Sequence, residues 1–248
     1  MEVRDPEVIH HVIIKADIRG STKVISELLN KGLNPASYFS MRFFDPLTLL
    51  LEKYGAVKVF IEGDAIILCI YEKSDEPHQW YSVARACGIA KDIIDLVNSK
   101  NSHSKQTGLP KLEVGIGISF CTEKPLFLFD DEKPIMISPA IGKADRLSSC
   151  SWKLRETYSQ GMFNVEVLEI AGNDKSRGEK GQNKICYNVN GILIDDESFK
   201  KLKSEVVMKK LNIKVNEQTQ TLYVTKFPDV VGKERELVIR EGKIYLWE

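Results

Sequence analysis

The apolar residues change period repeatedly along the chain, and each change marks an element. His10 to Ile18 predicts a strand buried in its middle. Gly20-Ser21-Thr22 then opens a helix with Val24, Ile25, Leu28 and Leu29 at helical spacing. Ser21 or Thr22 stands where a capping hydroxyl is expected, and Gly32 closes the helix. Asn34 is placed to cap the next helix and Pro35 to begin it, and Phe39, Phe43, Leu47 and Leu50 carry it to Tyr54-Gly55.

Two β-rich runs, Ala56 to Ile61 and Ala65 to Tyr71, flank Glu62-Gly63-Asp64 and predict a tight hairpin. Trp80 to Asn98 predicts a long amphipathic helix, and the polar stretch Ser99 to Pro110 a loop. Leu112 to Phe120, Pro125 to Phe129 and Ile135 to Ser138 read as strands, and Pro139 to Cys150 as a helix around Arg146. Gly115 and Gly117 lie inside a strand pattern, which predicts a bulge or close backbone approach rather than a phosphate loop. Beyond Trp152, Asn164 to Ile170 and Lys184 to Val189 read as strands, with a charged tract from Asn173 to Asn183 between them. A helix over Asp196 to Leu211 follows, then strands at Leu222 to Lys226 and Glu236 to Trp247 with a turn at Glu241-Gly242. Helices and strands interleave around a hairpin, which makes the class α+β.

The chain has 248 residues, enough for one large domain or a domain with an appendage. Its 35 Lys and Arg balance 35 Asp and Glu, so net charge offers no case for nucleic acid or for an anionic membrane surface. No apolar run approaches the roughly 20 residues of a membrane span. The five cysteines are scattered and show no metal-ligand spacing, which favours a reducing, cytoplasmic setting with the thiols as apolar filler. His10 and His11 are adjacent on a strand, point to opposite faces and cannot easily share one metal ion.

Asp17 ends the first strand just before a helix start, and Asp64 sits in a hairpin turn. A strand-end carboxylate followed by free helix N–H groups suits a phosphate chain and its metal. A second carboxylate on a neighbouring hairpin would complete a two-metal clamp for phosphoryl transfer. On spacing alone, an Asp at a strand end or turn is more often a cap.

Four segments together resemble the catalytic domain of class III adenylate and guanylate cyclases. Ala16-Asp17-Ile18-Arg19-Gly20-Ser21-Thr22 is similar to that family's metal-binding strand, and Phe60-Ile61-Glu62-Gly63-Asp64-Ala65-Ile66 to its second metal motif. Val114 to Ile118 resembles the core strand that follows, and Ile141-Gly142-Lys143-Ala144-Asp145-Arg146-Leu147 the helix of the transition-state Arg. The resemblance implies a ferredoxin-like, palm-type cyclase core over residues 1–190 and a β-rich C-terminal extension over 191–248. It implies two Mg²⁺ or Mn²⁺ ions on Asp17, Asp64 and the Ile18 carbonyl, with Gly20, Ser21 and Thr22 near the phosphates. Arg146 would neutralise charge on the α-phosphate. Lys180, in the charged tract, loosely resembles a phosphate-binding Lys, and such a tract is more often a solvated surface.

The implied activity is conversion of a nucleoside triphosphate, ATP or GTP first, to its 3′,5′-cyclic monophosphate and pyrophosphate. The implied assembly is a homodimer with shared active sites, controlled by a regulatory domain or partner. Departures fall on base and ribose recognition. Gly142 stands where the family has a ribose-orienting Asn, and Phe60 where a purine-reading Lys falls. An extra residue in that segment leaves Lys58 or Glu62 to occupy the space, and the second purine reader falls near Ile135. These departures keep two other readings open: a cyclase for a different nucleotide, and a non-catalytic nucleotide-binding or dimerisation module.

Overall fold

The computed structural model describes residues 7–74, 81–148, 191–215 and 218–240. The expected strands at Asn164 to Ile170 and Lys184 to Val189, the charged tract with Lys180, and the turn at Glu241-Gly242 lie outside them.

Strand β1 (Val8–Ile18) is the centre of the molecule. It pairs antiparallel with β3 (Ala65–Lys73) on one side and β4 (Val114–Cys121) on the other. Strand β2 (Val57–Glu62) extends the sheet beyond β3, and the short β7 (Ile192–Ile194) adds parallel to β4. The order is β2-β3-β1-β4-β7, and the class is α+β as expected.

The two faces of this sheet bury different things. Val12, Ile14, Ala16 and Ile18 face the main core, where α1 (Ser21–Asn30), α3 (Asp45–Tyr54) and α4 (Ser82–Thr107) pack. Helix α6 (Asp196–Glu205) joins them through Phe199 and Leu202. Ile13 faces a smaller apolar cluster under a single helix, α5 (Pro139–Ser148), which contributes Ala140 and Ala144. Here the strand glycines have their reason. A Cβ on Gly117 would collide with the Ala144 carbonyl and sit 2.8 Å from Leu147 Cβ, and one on Gly115 would collide with the Ser148 carbonyl. The close backbone approach read from sequence is therefore present, and α5 rides directly on the strand backbone.

Several expectations needed correction. Helix α1 has no side-chain cap; its N-cap is Gly20, left-handed at φ 62°, while Ser21 and Thr22 are already helical. Asn34 does cap α2 (Pro35–Phe39), accepting from Ala36 and Ser37 N–H. The continuous helix expected from there to Tyr54 instead widens into a π turn at Ser40–Phe44. Pro46 lacks the N–H that would reach the Arg42 carbonyl, and the backbone opens just before it. Helix α4 runs through the stretch read as a loop, to Thr107. Asn101 exchanges two hydrogen bonds with the Leu112 backbone, and Arg42 donates to the Lys100 carbonyl and Ser104 Oγ, so tertiary contacts override weak local propensity. Helix α6 stops at Glu205 rather than Leu211, and Lys209–Val215 is strand β8. With β9 (Gln218–Pro228) and β10 (Glu234–Arg240) it forms a separate antiparallel sheet whose Phe227, Leu237 and Ile239 reach the main core.

Glu205 also serves a distant element. Its carboxylate accepts from Val83 N at 3.1 Å, Ala84 N at 2.9 Å and Ser82 Oγ at 3.0 Å, capping α4 from far along the chain. A last hairpin, β5 (Leu126–Asp130) with β6 (Lys133–Ile137), stands out from the body. Leu126, Leu128 and Phe129 on it are exposed, Phe129 at 72%. No helix among the described residues is long and apolar enough to cross a membrane.

The contact between α5 and β4 gives a direct test. Gly117→Ala must push the helix off the sheet, and overpacking of that kind costs about 1–3 kcal/mol. A lowered urea midpoint at unchanged slope is the expected result.

Candidate active site

Antiparallel pairing of β1 with β3 puts the end of one strand beside the start of the other. Asp17 lies opposite Ala65, so Asp64, the residue just before β3, falls next to it. Ile18 N–H donates to the Asp64 carbonyl at 3.4 Å, tying the two segments. Gly63 adopts φ 61°, which lets Gly63-Asp64 turn the chain in two residues. Both carboxylate-bearing residues line one cleft of about 890 Å³ with Ile18, Gly20 and Ser21. Thr22 is exposed and does not line it.

The floor and rim carry charge of both signs. Arg19 donates its backbone N–H to the Glu113 carbonyl at 2.7 Å and lays its guanidinium over Gly115, where a Cβ would stand 2.6 Å from Nη2. Lys23, Lys111 and Glu113 line the cleft as well. Burial raises the pKa of Asp17, the neighbouring Asp64 charge raises it further, and Asp145 adds to this while Lys15 and Arg19 oppose it.

A half-buried carboxylate repelled by a second one fits a divalent cation, which would satisfy both. Magnesium is normally held by one or two carboxylates with water and substrate phosphates, not by a full protein cage. Among the described residues no cluster of three or more His, Cys, Asp or Glu forms such a cage. Asp17, Asp64 and the Ile18 carbonyl could therefore hold Mg²⁺ or Mn²⁺ ions together with a polyphosphate. Gly20 and Ser21, at the N-terminal end of α1, would present backbone N–H groups to that polyphosphate.

The other sequence-predicted residues lie elsewhere. Arg146 is exposed in the last turn of α5 and does not line the Asp17–Asp64 cleft. Gly142, one turn earlier, is exposed too; among the described residues a Cβ there would meet only Arg146 Nη1, at 3.8 Å. The extra residue in β2 appears as a register shift between Lys58 and Phe60. Lys58 is exposed, Phe60 packs on the small apolar cluster, and Glu62 is held by Lys15 at 2.9 Å. Sequence reasoning missed Lys15, which also reaches Asp145 at 2.6 Å. The available signal was a charge in the middle of a strand otherwise read as buried.

No family model matches this chain, and no curated protein matches it by sequence. Solved structures do. The adenylyl cyclase CyaB from P. aeruginosa is 16% identical with a TM-score of 0.56, over 98% of this chain and 97% of its own. The chain has the fold of the adenylyl and guanylyl cyclase catalytic domains. The guanylyl cyclase Cya2 shares that cyclase fold at 15% identity and a TM-score of 0.53, covering 96% of this chain and 93% of its own. A bacterial light-regulated adenylyl cyclase matches 90% of this chain, and 53% of its own, at 14% identity and a TM-score of 0.53.

Asp17 supplies a pH- and metal-dependent test. Its folded-state pKa is raised, so its contribution to stability is complete below the ordinary carboxylate range and is lost as pH rises through the raised value. At neutral pH and without metal, its charge is a cost. Asp17→Asn should therefore raise the melting temperature of metal-free protein by roughly 2–4 °C at pH 7, and by less in acid. Added Mn²⁺ should stabilise the wild type and leave the variant unmoved, both read in thermal melts.

Proposed function

We propose that the chain is a nucleotidyl cyclase domain, converting a nucleoside triphosphate to its 3′,5′-cyclic monophosphate and pyrophosphate in intracellular signalling. The observation that carries this is the meeting of Asp17 and Asp64 at one cleft within a cyclase fold. In the reaction the ribose 3′-oxygen loses its proton and attacks the α-phosphorus, and the bond to pyrophosphate breaks. Two Mg²⁺ or Mn²⁺ ions on Asp17, Asp64 and the Ile18 carbonyl would lower the 3′-hydroxyl pKa and offset the phosphate charge. Gly20 and Ser21 orient the polyphosphate at the start of α1. Arg146 stabilises the charge that builds on the α-phosphate, as a planar multi-donor group can.

Arg146 lies outside the cleft of its own chain, which supports a homodimer in which it serves the partner's site. The hairpin β5–β6 supports self-association as well, because Phe129 and its apolar neighbours are exposed together. Residues 1–190 are proposed as the catalytic core and 191–248 as an extension, whose strand β7 completes the central sheet. Activity would then depend on whatever regulatory domain or partner brings two copies together.

Mass spectrometry after incubation with each of the four nucleoside triphosphates and Mn²⁺ tests the chemistry. Cyclic product is expected from at least one, and none from any would overturn the reading. Asp64→Ala and Arg146→Ala should each be inactive. Mixed in equal amounts they should recover about a quarter of wild-type turnover, since half the dimers rebuild one of two sites. Failure to complement, with subunit exchange shown separately, would reject the shared site.

A second reading, a cyclase for a nucleotide other than ATP or GTP, has its own observations. The residues standing near the family's base-reading position are Phe60 in an apolar cluster and Glu62 bound to Lys15. Gly142 separates the two readings. Among the described residues nothing needs the space, so Gly142→Asn should fold normally and restore a ribose contact. Turnover should rise about 2- to 10-fold, the kinetic equivalent of one polar contact. A fall instead would mean that the glycine makes room for the bound nucleotide, and would favour the second reading.

A further inference from the structure

Lys15 occupies the middle of β1, paired with Ile67 on one side and Gly117 on the other, and is 6% exposed. Lysine is rarely buried this far without a partner. Its ammonium has two, and they belong to different elements. Glu62 Oε2, at 2.9 Å, is on the last residue of β2, two positions before Asp64. Asp145 Oδ1, at 2.6 Å, is on α5, immediately before Arg146. Both carboxylates are largely solvent-facing, while the ammonium that joins them comes from below.

The packing around it explains why a charge would be needed there. Helix α5 meets the sheet through Ala140, Ala144 and the bare backbone of Gly115 and Gly117, with Leu147 against Gly117 and Ile141 at the margin of the cluster. The small groups at its centre allow close approach, and they leave Leu147 and Ile141 as the large side chains that fix the helix along the strand. The segment leading to Asp64 carries a bulge between Lys58 and Phe60, after which only Phe60, Ile61 and Glu62 pair with β3 before the turn. Lys15 makes a directional contact to each of the two segments.

The geometry points to Lys15 as a positioning residue that sets the hairpin of Asp64 and the helix of Arg146 in register, holding two parts of the catalytic machinery through Glu62 and Asp145. This inference rests on the cyclase reading above. A stabilising role alone is a poor account of Lys15: burying the ammonium costs desolvation, pairing it with carboxylates that reach water returns little, and water can solvate both carboxylates once the ammonium is gone.

The test is Lys15→Met, which keeps the unbranched shape and removes the charge. If Lys15 positions, the melting temperature stays the same or rises while kcat falls at least about tenfold, with KM for the nucleotide nearly unchanged. Binding of Mn²⁺ to the metal-free protein, followed by loss of the free-ion electron spin resonance signal, should weaken several-fold. That sign is diagnostic, because removing a positive charge beside two carboxylates would by itself tighten cation binding. Asp145→Asn, at the solvent-facing end of the contact, should lower kcat less, and combining it with Lys15→Met should add little. The proposal is overturned if Lys15→Met leaves kcat unchanged, tightens Mn²⁺ binding, or loses stability and activity together while Asp145→Asn retains full kcat. A wild type that neither binds Mn²⁺ nor yields cyclic product would remove the cyclase reading itself, and the positioning role with it.

Discussion

The alternation of side chains along β1 is the constraint on which everything else rests. Strand geometry sends successive residues to opposite faces, so eleven residues of one strand can serve two environments at once. Val12, Ile14, Ala16 and Ile18 anchor the main core, and Ile13, Lys15 and Asp17 address the other face. A one-residue slip would exchange these sets, putting the charges into the core and the core residues onto the site. Pairing on both sides, with β3 and β4, prevents that slip. Rigidity at the cleft is thus a by-product of burying the opposite face.

On the site face, size matters more than hydrophobicity. Only glycine at positions 115 and 117 lets α5 lie on the strand backbone, and only then do its residues come within reach of a β1 side chain. The apolar cluster beneath α5 is small beside the main core. The helix is held by close backbone contact, by Ala140, Ala144 and Leu147, and by the Lys15–Asp145 pair.

The sequence was a good guide wherever the local pattern and the tertiary context agreed. The central strand, the Gly63-Asp64 turn, the Asn34 cap and the two close-approach glycines were all legible in it. It misled where distant contacts decided the outcome. The last turns of α4 look like a loop because their Ser, Asn and Thr residues are poor helix formers, yet Arg42 and Leu112 hold them. The end of α6 at Glu205 is set by that residue's bonds to α4, which no window of sequence contains. Lys15 escaped notice for a similar reason: its partners lie 47 and 130 positions away.

The cap that Glu205 places on α4 carries a consequence for how the molecule is made. The longest helix among the described residues receives its first-turn acceptor from a residue 121 to 123 positions downstream. The outer edge of β4 is likewise paired only when Ile192–Ile194 arrives. At ordinary elongation rates a ribosome needs about 6–24 s to cross that interval. During it the nascent chain holds an open helix end and, once β4 is made and until Ile192–Ile194 follows, an unpaired strand edge, both ready to associate wrongly. The core therefore closes late in synthesis, and its exposure to chaperones and proteases is greatest over those seconds.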